Sequence, residues 1–225
     1  MRVLIPLFVV VLVLGAASCS AGPDPASETT RAATPLPAPE GEGTVTLEQA
    51  LVERRSIREF TDRPLTDAQI GQLLWAAQGQ TAEWGGRTAP SAGALYPLDV
   101  YVAVPDGVFH YRPDEHALAR MGEGGAREAL SEAAAGQETV AGAPAVFVIT
   151  GEYARTEVRY GDRAVRYVHL EAGHAAQNLL LQATALSLGA VPIGAFDDEA
   201  VRETLRLPPG YAPLYLIPVG TPAAE

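Results

Sequence analysis

The stretch from Tyr167 to Leu188 constrains the fold more than any other part of the chain. It is rich in small and aliphatic residues at helical spacing, and Gly189 follows it, so we predict one long helix that ends there. Its apolar members are Val168, Ala172, Ala175, Ala176, Leu179, Leu180, Ala183 and Leu186. A helix that is apolar over most of its surface lies in the centre of a core or at a subunit interface, so other elements have to cover it.

Shorter elements precede and follow this helix. Thr46 and Thr66 each begin a capping box, which predicts one helix that runs to about Arg54 and a second that ends at Gly79. Apolar runs and turn residues predict four strands and one more short helix: a hairpin of Asp99–Val104 and Val108–Tyr111, a buried strand Ala145–Thr150, a helix Val201–Leu205 and a final strand Pro213–Val219. This order predicts an α+β fold in which helices cover a mainly antiparallel sheet.

The N-terminus has the layout of a secretory signal, with a basic residue at Arg2, an apolar run, and small residues up to Ser18. Cys19 follows directly as the only cysteine, which resembles a bacterial lipobox in which Cys19 is lipidated. The alternative is a soluble secreted protein with an incidental cysteine. We expect a signal peptide at residues 1–18, a lipidated cysteine and flexible linker at 19–43, and one folded domain at 44–225. The protein would then be exported and anchored to the cell membrane.

Charge and histidine spacing exclude two kinds of site. The chain has a formal net charge of -11 and no extended Lys or Arg cluster, which argues against binding nucleic acid or anionic lipid by charge alone. His169 and His174 are five positions apart on the predicted helix and point in different directions, so we expect no metal site there.

Two segments have the residue types of a binding site. Arg54, Arg55, Ser56 and Arg58 offer guanidinium and hydroxyl donors that suit a phosphate, although they would equally suit a basic patch at a helix C-terminus. The stretch Pro90–Gly93 has little side-chain bulk, so a flat ring could lie against its backbone, although it would also serve as an ordinary turn.

Six segments in the same order together resemble the nitroreductase-like flavoproteins, and within them the SagB/ThcOx-type dehydrogenases. The resemblance covers nearly all of residues 47–222. The segments are Arg54–Arg58, Leu73–Gly79, Ala89–Pro97, Glu171–Leu179, Pro192–Asp197 and Pro213–Gly220.

The resemblance implies an FMN cofactor held at the interface of a homodimer. Arg54, Ser56 and Arg58 would bind its phosphate and ribityl end, and the backbone amides of Gly194 and Ala195 would lie near the reactive edge of the ring. The residues that would lie along the isoalloxazine ring are Pro90, Ser91, Ala92, Gly93 and Leu95.

The resemblance also suggests Tyr160 for proton transfer, because SagB-type azoline dehydrogenases have a Lys-Tyr pair at this position. Here the pair is Arg159-Tyr160, and arginine stays protonated, so it cannot act as a general base. We expect an FMN-dependent oxidoreductase that acts on a small organic or peptide-derived substrate outside the cytoplasm. The alternatives are a non-catalytic exported flavin- or ligand-binding lipoprotein and an azoline-to-azole dehydrogenase of peptide maturation.

Overall fold

A computed structural model of the protein describes residues 33–224. This part of the chain contains seven strands and seven α-helices. In chain order they are β1 (Ala33–Pro35), α1 (Leu47–Glu53), α2 (Asp67–Gln78), β2 (Leu98–Val104), β3 (Gly107–Arg112), β4 (Ala117–Gly122), α3 (Ala126–Ala133), α4 (Glu138–Ala141), β5 (Ala145–Glu152), α5 (Tyr153–Tyr160), α6 (Ala164–Ala185), β6 (Gly189–Ala190), α7 (Asp198–Leu205) and β7 (Tyr211–Gly220).

The seven strands form one sheet in the order β1-β4-β3-β2-β5-β7-β6. Every neighbouring pair of strands in it is antiparallel, which confirms the predicted α+β class. The predicted hairpin is β2 and β3, with Tyr101 opposite His110 and Val104 opposite Gly107. β5 lies between β2 and β7, and its residues Ala145 to Gly151 are buried.

Helices cover both faces of this sheet, so the central strands are buried on both sides. Alternate residues of a strand point to opposite faces. On β5, Phe147 and Ile149 pack with α2 and α6, whereas Val146 and Val148 pack with α3 and α7. The long helix α6 is the predicted apolar helix, and its Leu179 is fully buried. Each fully buried leucine of this kind contributes about 1.5–3 kcal/mol to folding.

The two predicted capping boxes are present and define where α1 and α2 begin. Thr46 accepts from the backbone N–H of Gln49 at 3.2 Å, and the side chain of Gln49 accepts from the N–H of Thr46 at 3.0 Å. Thr66 and Gln69 exchange the same two bonds at the same distances. Each cap satisfies backbone groups that the helix leaves unpaired, which is worth about 1 kcal/mol.

Residues before the predicted domain boundary at residue 44 also contact the folded domain. Ala33–Pro35 pairs with β4 as an edge strand, and Leu36 packs against the core. The backbone N–H of Glu40 donates to Gln72, whose side-chain amide donates back to the Glu40 carbonyl. Composition did not reveal this, because backbone pairing at a sheet edge needs few apolar side chains. The predicted signal peptide, Cys19 and the linker up to residue 32 lie outside the described residues.

Five further elements were not predicted, namely β4, α3, α4, α5 and β6. α5 shows why, because its sequence is polar and ion pairs fix it to the sheet. Arg155 of α5 lies 2.9 Å from Asp99 on β2 and also pairs with Glu152. Within residues 33–224, no helix is both long and apolar enough to cross a membrane.

Candidate active site

The segment Arg54–Arg58 leaves the end of α1 and lies beside β6. Ser56 bridges Ala190, and the N–H of Ile57 donates to the Ala190 carbonyl at 3.1 Å. The guanidinium groups of Arg54 and Arg58 form no ion pair or hydrogen bond within the described part of the chain. Both are therefore available to an anion, with the exposed hydroxyl of Ser56 between them in sequence.

Arg55 differs from its neighbours. Its Nη1 donates to the carbonyl oxygens of Val52 at 2.9 Å and Arg54 at 2.8 Å. These carbonyls belong to the C-terminal end of α1, where positive charge is favourable. These two hydrogen bonds agree with the helix-capping alternative for Arg55, whereas its predicted role in binding the cofactor stays a prediction.

Gly194 and Ala195 are held next to the same segment by the α3–α4 region. The side-chain amide of Gln137 donates to the Ala195 carbonyl at 3.4 Å, and the Thr139 hydroxyl donates to the Arg58 carbonyl at 2.8 Å. The N–H groups of Gly194 and Ala195 donate to no acceptor within residues 33–224. A Cβ built on Gly194 would meet nothing within 4 Å, so this backbone faces open space.

We call Arg54, Ser56, Arg58, Gly194 and Ala195 the first half-site. It combines two unpaired guanidinium groups, a hydroxyl and two unpaired backbone N–H groups. Such a donor set fits an anionic cofactor with a polar ring edge, since every group in it donates hydrogen bonds.

The loop Pro90–Leu95 forms a second group of predicted residues. Its central turn, Ala92–Ala94, places Gly93 at a φ of 64°, a left-handed conformation that glycine adopts at little cost. Ser91 turns its side chain inward, where Oγ accepts from the N–H of Tyr96 at 2.9 Å. Pro90 and Gly93 are exposed, so the outer side of the loop has little side-chain bulk above its backbone.

Tyr160 lies against this loop although it is distant from it in sequence. A Cβ built on Gly93 would be 2.9 Å from the Tyr160 hydroxyl and 2.9 Å from Arg159 Nη1. The Tyr160 ring packs edge-on against Tyr167, with ring centroids 4.9 Å apart. We call Pro90–Leu95 and Tyr160 the second half-site. None of the hydrogen bonds among the described residues joins it to the first half-site.

Comparison with known proteins decides the family. The nitroreductase family model matches residues 51–221. The chain belongs to the nitroreductase family. It is 46% identical over 182 residues to a protein of Methanocaldococcus jannaschii that is provisionally named a nitroreductase, and the match covers 78% of this chain and 91% of that protein.

Solved structures agree with this family. A provisionally named nitroreductase from Ralstonia eutropha superposes with a TM-score of 0.78 at 30% identity, covering 86% of this chain and 90% of that one. The NADPH:FMN oxidoreductase of Vibrio harveyi, complexed with NAD⁺, superposes with a TM-score of 0.60 at 25% identity, covering 79% and 69%. Nitroreductases are flavin-dependent oxidoreductases with FMN as cofactor, and the chain is a member of that family. The donors of the first half-site fit such a cofactor.

A buried acidic group under the second half-site was not predicted as functional. Glu171 of α6 is 2% exposed, and its Oε1 has no hydrogen-bond partner among the described residues. Burial raises the pKa of Glu171 to about 7, because it disfavours the carboxylate more than Ser91, Arg87 and Gln78 stabilise it. Arg87 Nη1 donates to Gln78 Oε1 at 3.0 Å, so this arginine, glutamine, serine and glutamate form one polar cluster beneath the loop.

Helical spacing alone contained a signal for this buried acid. Glu171 follows Val168 by three positions and precedes Ala175 by four, and both of these residues are fully buried. Residues at such spacing share a helix face. Glu171 therefore belongs to the buried stripe of α6.

Among the described residues, no group of three or more His, Cys, Asp or Glu side chains is placed to hold a metal ion. His169 of α6 forms a hydrogen bond with the Tyr153 hydroxyl at 2.7 Å.

We expect Glu171→Gln to stabilise the protein at high pH and not at low pH. The folded state holds the Glu171 proton more tightly than the unfolded chain, since the pKa is raised from 4.5 to about 7. The wild type therefore loses stability as pH rises through this window, by about 3 kcal/mol at about 1.4 kcal/mol per unit. Glutamine stays neutral and avoids this loss. Free energies of unfolding from urea titrations at pH 5 and pH 9 measure the difference.

The matched control for this experiment is Glu157→Gln on α5, where the side chain is exposed. Its difference from wild type should change by less than about 0.5 kcal/mol over the same pH range. A constant difference between Glu171→Gln and wild type at all pH values would show that folding does not raise the pKa of Glu171.

Proposed function

We propose that the protein is an FMN-dependent oxidoreductase that transfers a hydride or electrons to a small organic or peptide-derived substrate outside the cytoplasm. The observation that carries this proposal is the first half-site, where two unpaired arginines and two unpaired backbone N–H groups belong to segments that Gln137 and Thr139 both contact. Bound FMN would supply the hydride chemistry, and the protein would supply binding, orientation and electrostatics.

The residues of the first half-site have distinct roles in this proposal. Arg54 and Arg58 would bind the cofactor phosphate through charge-assisted hydrogen bonds, and the Ser56 hydroxyl would add a neutral donor. The N–H groups of Gly194 and Ala195 would donate to polar atoms at the edge of the ring. Fixed donors of this kind stabilise negative charge without having to reorganise.

We predict that Arg54→Ala and Arg58→Ala each raise the dissociation constant for FMN about 10-fold to 100-fold, because each removes a charged hydrogen bond to phosphate. Arg55→Ala is the matched control, since its guanidinium is already bonded to two carbonyls of α1. This control should change the FMN dissociation constant less than about 3-fold. Fluorescence titration of the FMN-free protein measures all three. Equal effects in all three variants would contradict the proposed phosphate site.

Turnover separates an enzyme from the alternative of a non-catalytic binding lipoprotein. A purified protein that retains FMN and steadily oxidises a reduced donor, with equal reduction of an acceptor, acts as an enzyme. FMN retention without turnover for any donor and acceptor would favour the binding protein. Azoline oxidation ranks lower because Arg159 replaces the lysine of the SagB-type pair.

We also infer that the protein acts as a homodimer. Large apolar side chains are exposed on three helices of the single chain, α1, α5 and α6, and water contact with them is unfavourable. They are Leu47, Leu51, Val52, Val158, Val165 and Leu170. A second copy would cover these helices, and the half-sites of the two copies could then face each other.

We expect Leu51→Glu and Leu170→Glu to shift the protein from dimer to monomer and to lower FMN retention with it. Each places a charge on an apolar surface that the partner would have to desolvate. Ala68→Glu on the exposed start of α2 is the control and should leave the dimer unchanged. Sedimentation velocity measures the association state. A wild-type protein that sediments as a monomer while retaining FMN would refute the dimer.

The proposed location rests on the N-terminal sequence, which lies outside the described residues. We predict that Cys19→Ser moves the protein from the membrane fraction to the soluble or unprocessed fraction, because the residue to be lipidated is removed. Ser20→Ala, which keeps the cysteine, should leave the protein in the membrane fraction. Fractionation with labelled fatty acid measures both effects. Fatty-acid incorporation into Cys19→Ser, or none into wild type, would contradict the lipid anchor.

A further inference from the structure

Arg159 lies at the second half-site, where no acidic side chain among the described residues neutralises its charge. Its Nη1 lies 2.9 Å from where a Cβ of Gly93 would be, next to the Tyr160 hydroxyl. Its guanidinium carbon is 5.5 Å from the centre of the Tyr160 ring. The side chain is exposed, and it forms no ion pair or hydrogen bond with any residue from 33 to 224.

Two other arginines of the fold pair with nearby acids. Arg155, one helical turn before Arg159, pairs with Asp99 and Glu152. Arg202 pairs with Glu199 at 2.8 Å. Arg159 has no such acidic partner among the described residues.

In the segment 157–166, three arginines stand against two acids, Glu157 and Asp162, so the segment is slightly positive. The chain has a net charge of -11, yet Arg159, Arg163 and Arg166 are all exposed and free of ion pairs among the described residues. We call these three the arginine patch. A positive patch on an acidic protein raises the local concentration of small anions.

The chemistry of arginine restricts what Arg159 can do there. It stays protonated and cannot take a proton from a substrate. Its planar donors match a carboxylate in two parallel hydrogen bonds, and the neighbouring Tyr160 hydroxyl could provide a third. We propose that Arg159 is a specificity-determining residue that binds a carboxylate on the acceptor substrate. This inference rests on the proposed function, because it requires that the loop at Gly93 borders the bound cofactor.

The test measures only the step in which the acceptor reoxidises the reduced flavin. The FMN-loaded protein is reduced with dithionite without oxygen, freed of excess reductant, and mixed with para-nitrobenzoate or with neutral para-nitrobenzamide. Each nitro group takes two electrons from the reduced protein and two protons, and it is converted to a nitroso group with release of one water. The recovery of oxidised-flavin absorbance against acceptor concentration yields a second-order rate constant for each acceptor.

The expected result is a charge-dependent loss in one variant only. Arg159→Gln should lower the rate constant for para-nitrobenzoate about 10-fold, the effect of one charged hydrogen bond, and change that for para-nitrobenzamide less than about 2-fold. Arg166→Gln removes the same charge from the patch without contact to Gly93 and should change both less than about 2-fold. Calorimetric binding of benzoate to the oxidised protein should weaken in parallel, and benzamide binding should not.

Four outcomes would overturn the inference. Equal loss for both acceptors would assign Arg159 a structural role. Loss of FMN from Arg159→Gln would assign it to the cofactor instead. Equal effects of Arg159→Gln and Arg166→Gln would show that the positive charges act only through their general electrostatic field, without a direct contact between Arg159 and the carboxylate. A wild-type protein that takes up no FMN would refute the proposed function and this inference with it, and that outcome is recognised before any acceptor is added.

Discussion

The packing of α6 against α2 and the central strands is the interaction on which the rest of the structure depends. Its buried stripe, which includes Val168 and Leu179, packs on one face of β5 and shields that face from solvent. The same packing buries Glu171, whose carboxyl group lies under the loop at Ser91. A helix that must bury most of its surface therefore also brings a polar cluster next to a candidate cofactor site.

The candidate site is built from backbone as much as from side chains. Gly194 and Ala195 offer unpaired N–H groups, and Gly93 adopts a left-handed conformation on an exposed loop. Gln137 and Thr139 are not themselves candidate cofactor-binding residues. They donate hydrogen bonds to the carbonyl oxygens of Ala195 and Arg58, and so help to position the first half-site. Small residues are required at these positions because a cofactor can approach a backbone only where no side chain intervenes.

Arginines divide into two groups in this lysine-free acidic chain. Some hold the fold, as Arg155 does between α5 and the sheet, and Arg55 does at the end of α1. Others, including Arg54, Arg58 and Arg159, keep unpaired guanidinium groups at one or other half-site. Because these guanidinium groups form no ion pair among the described residues, they remain available to bind an anion.

Sequence alone was sufficient for elements whose signal is local. Capping boxes marked α1 and α2, and apolar runs marked α6, β2, β5 and β7, since hydrophobic spacing and end residues act within a few positions. The resemblance named the residue types of both half-sites. Only the tertiary structure turned Arg55 back onto α1, paired Ala33–Pro35 with β4, brought Tyr160 to Gly93 and buried Glu171. Each of these depends on contacts between segments far apart in the chain, and burial and distance exist only once those segments pack.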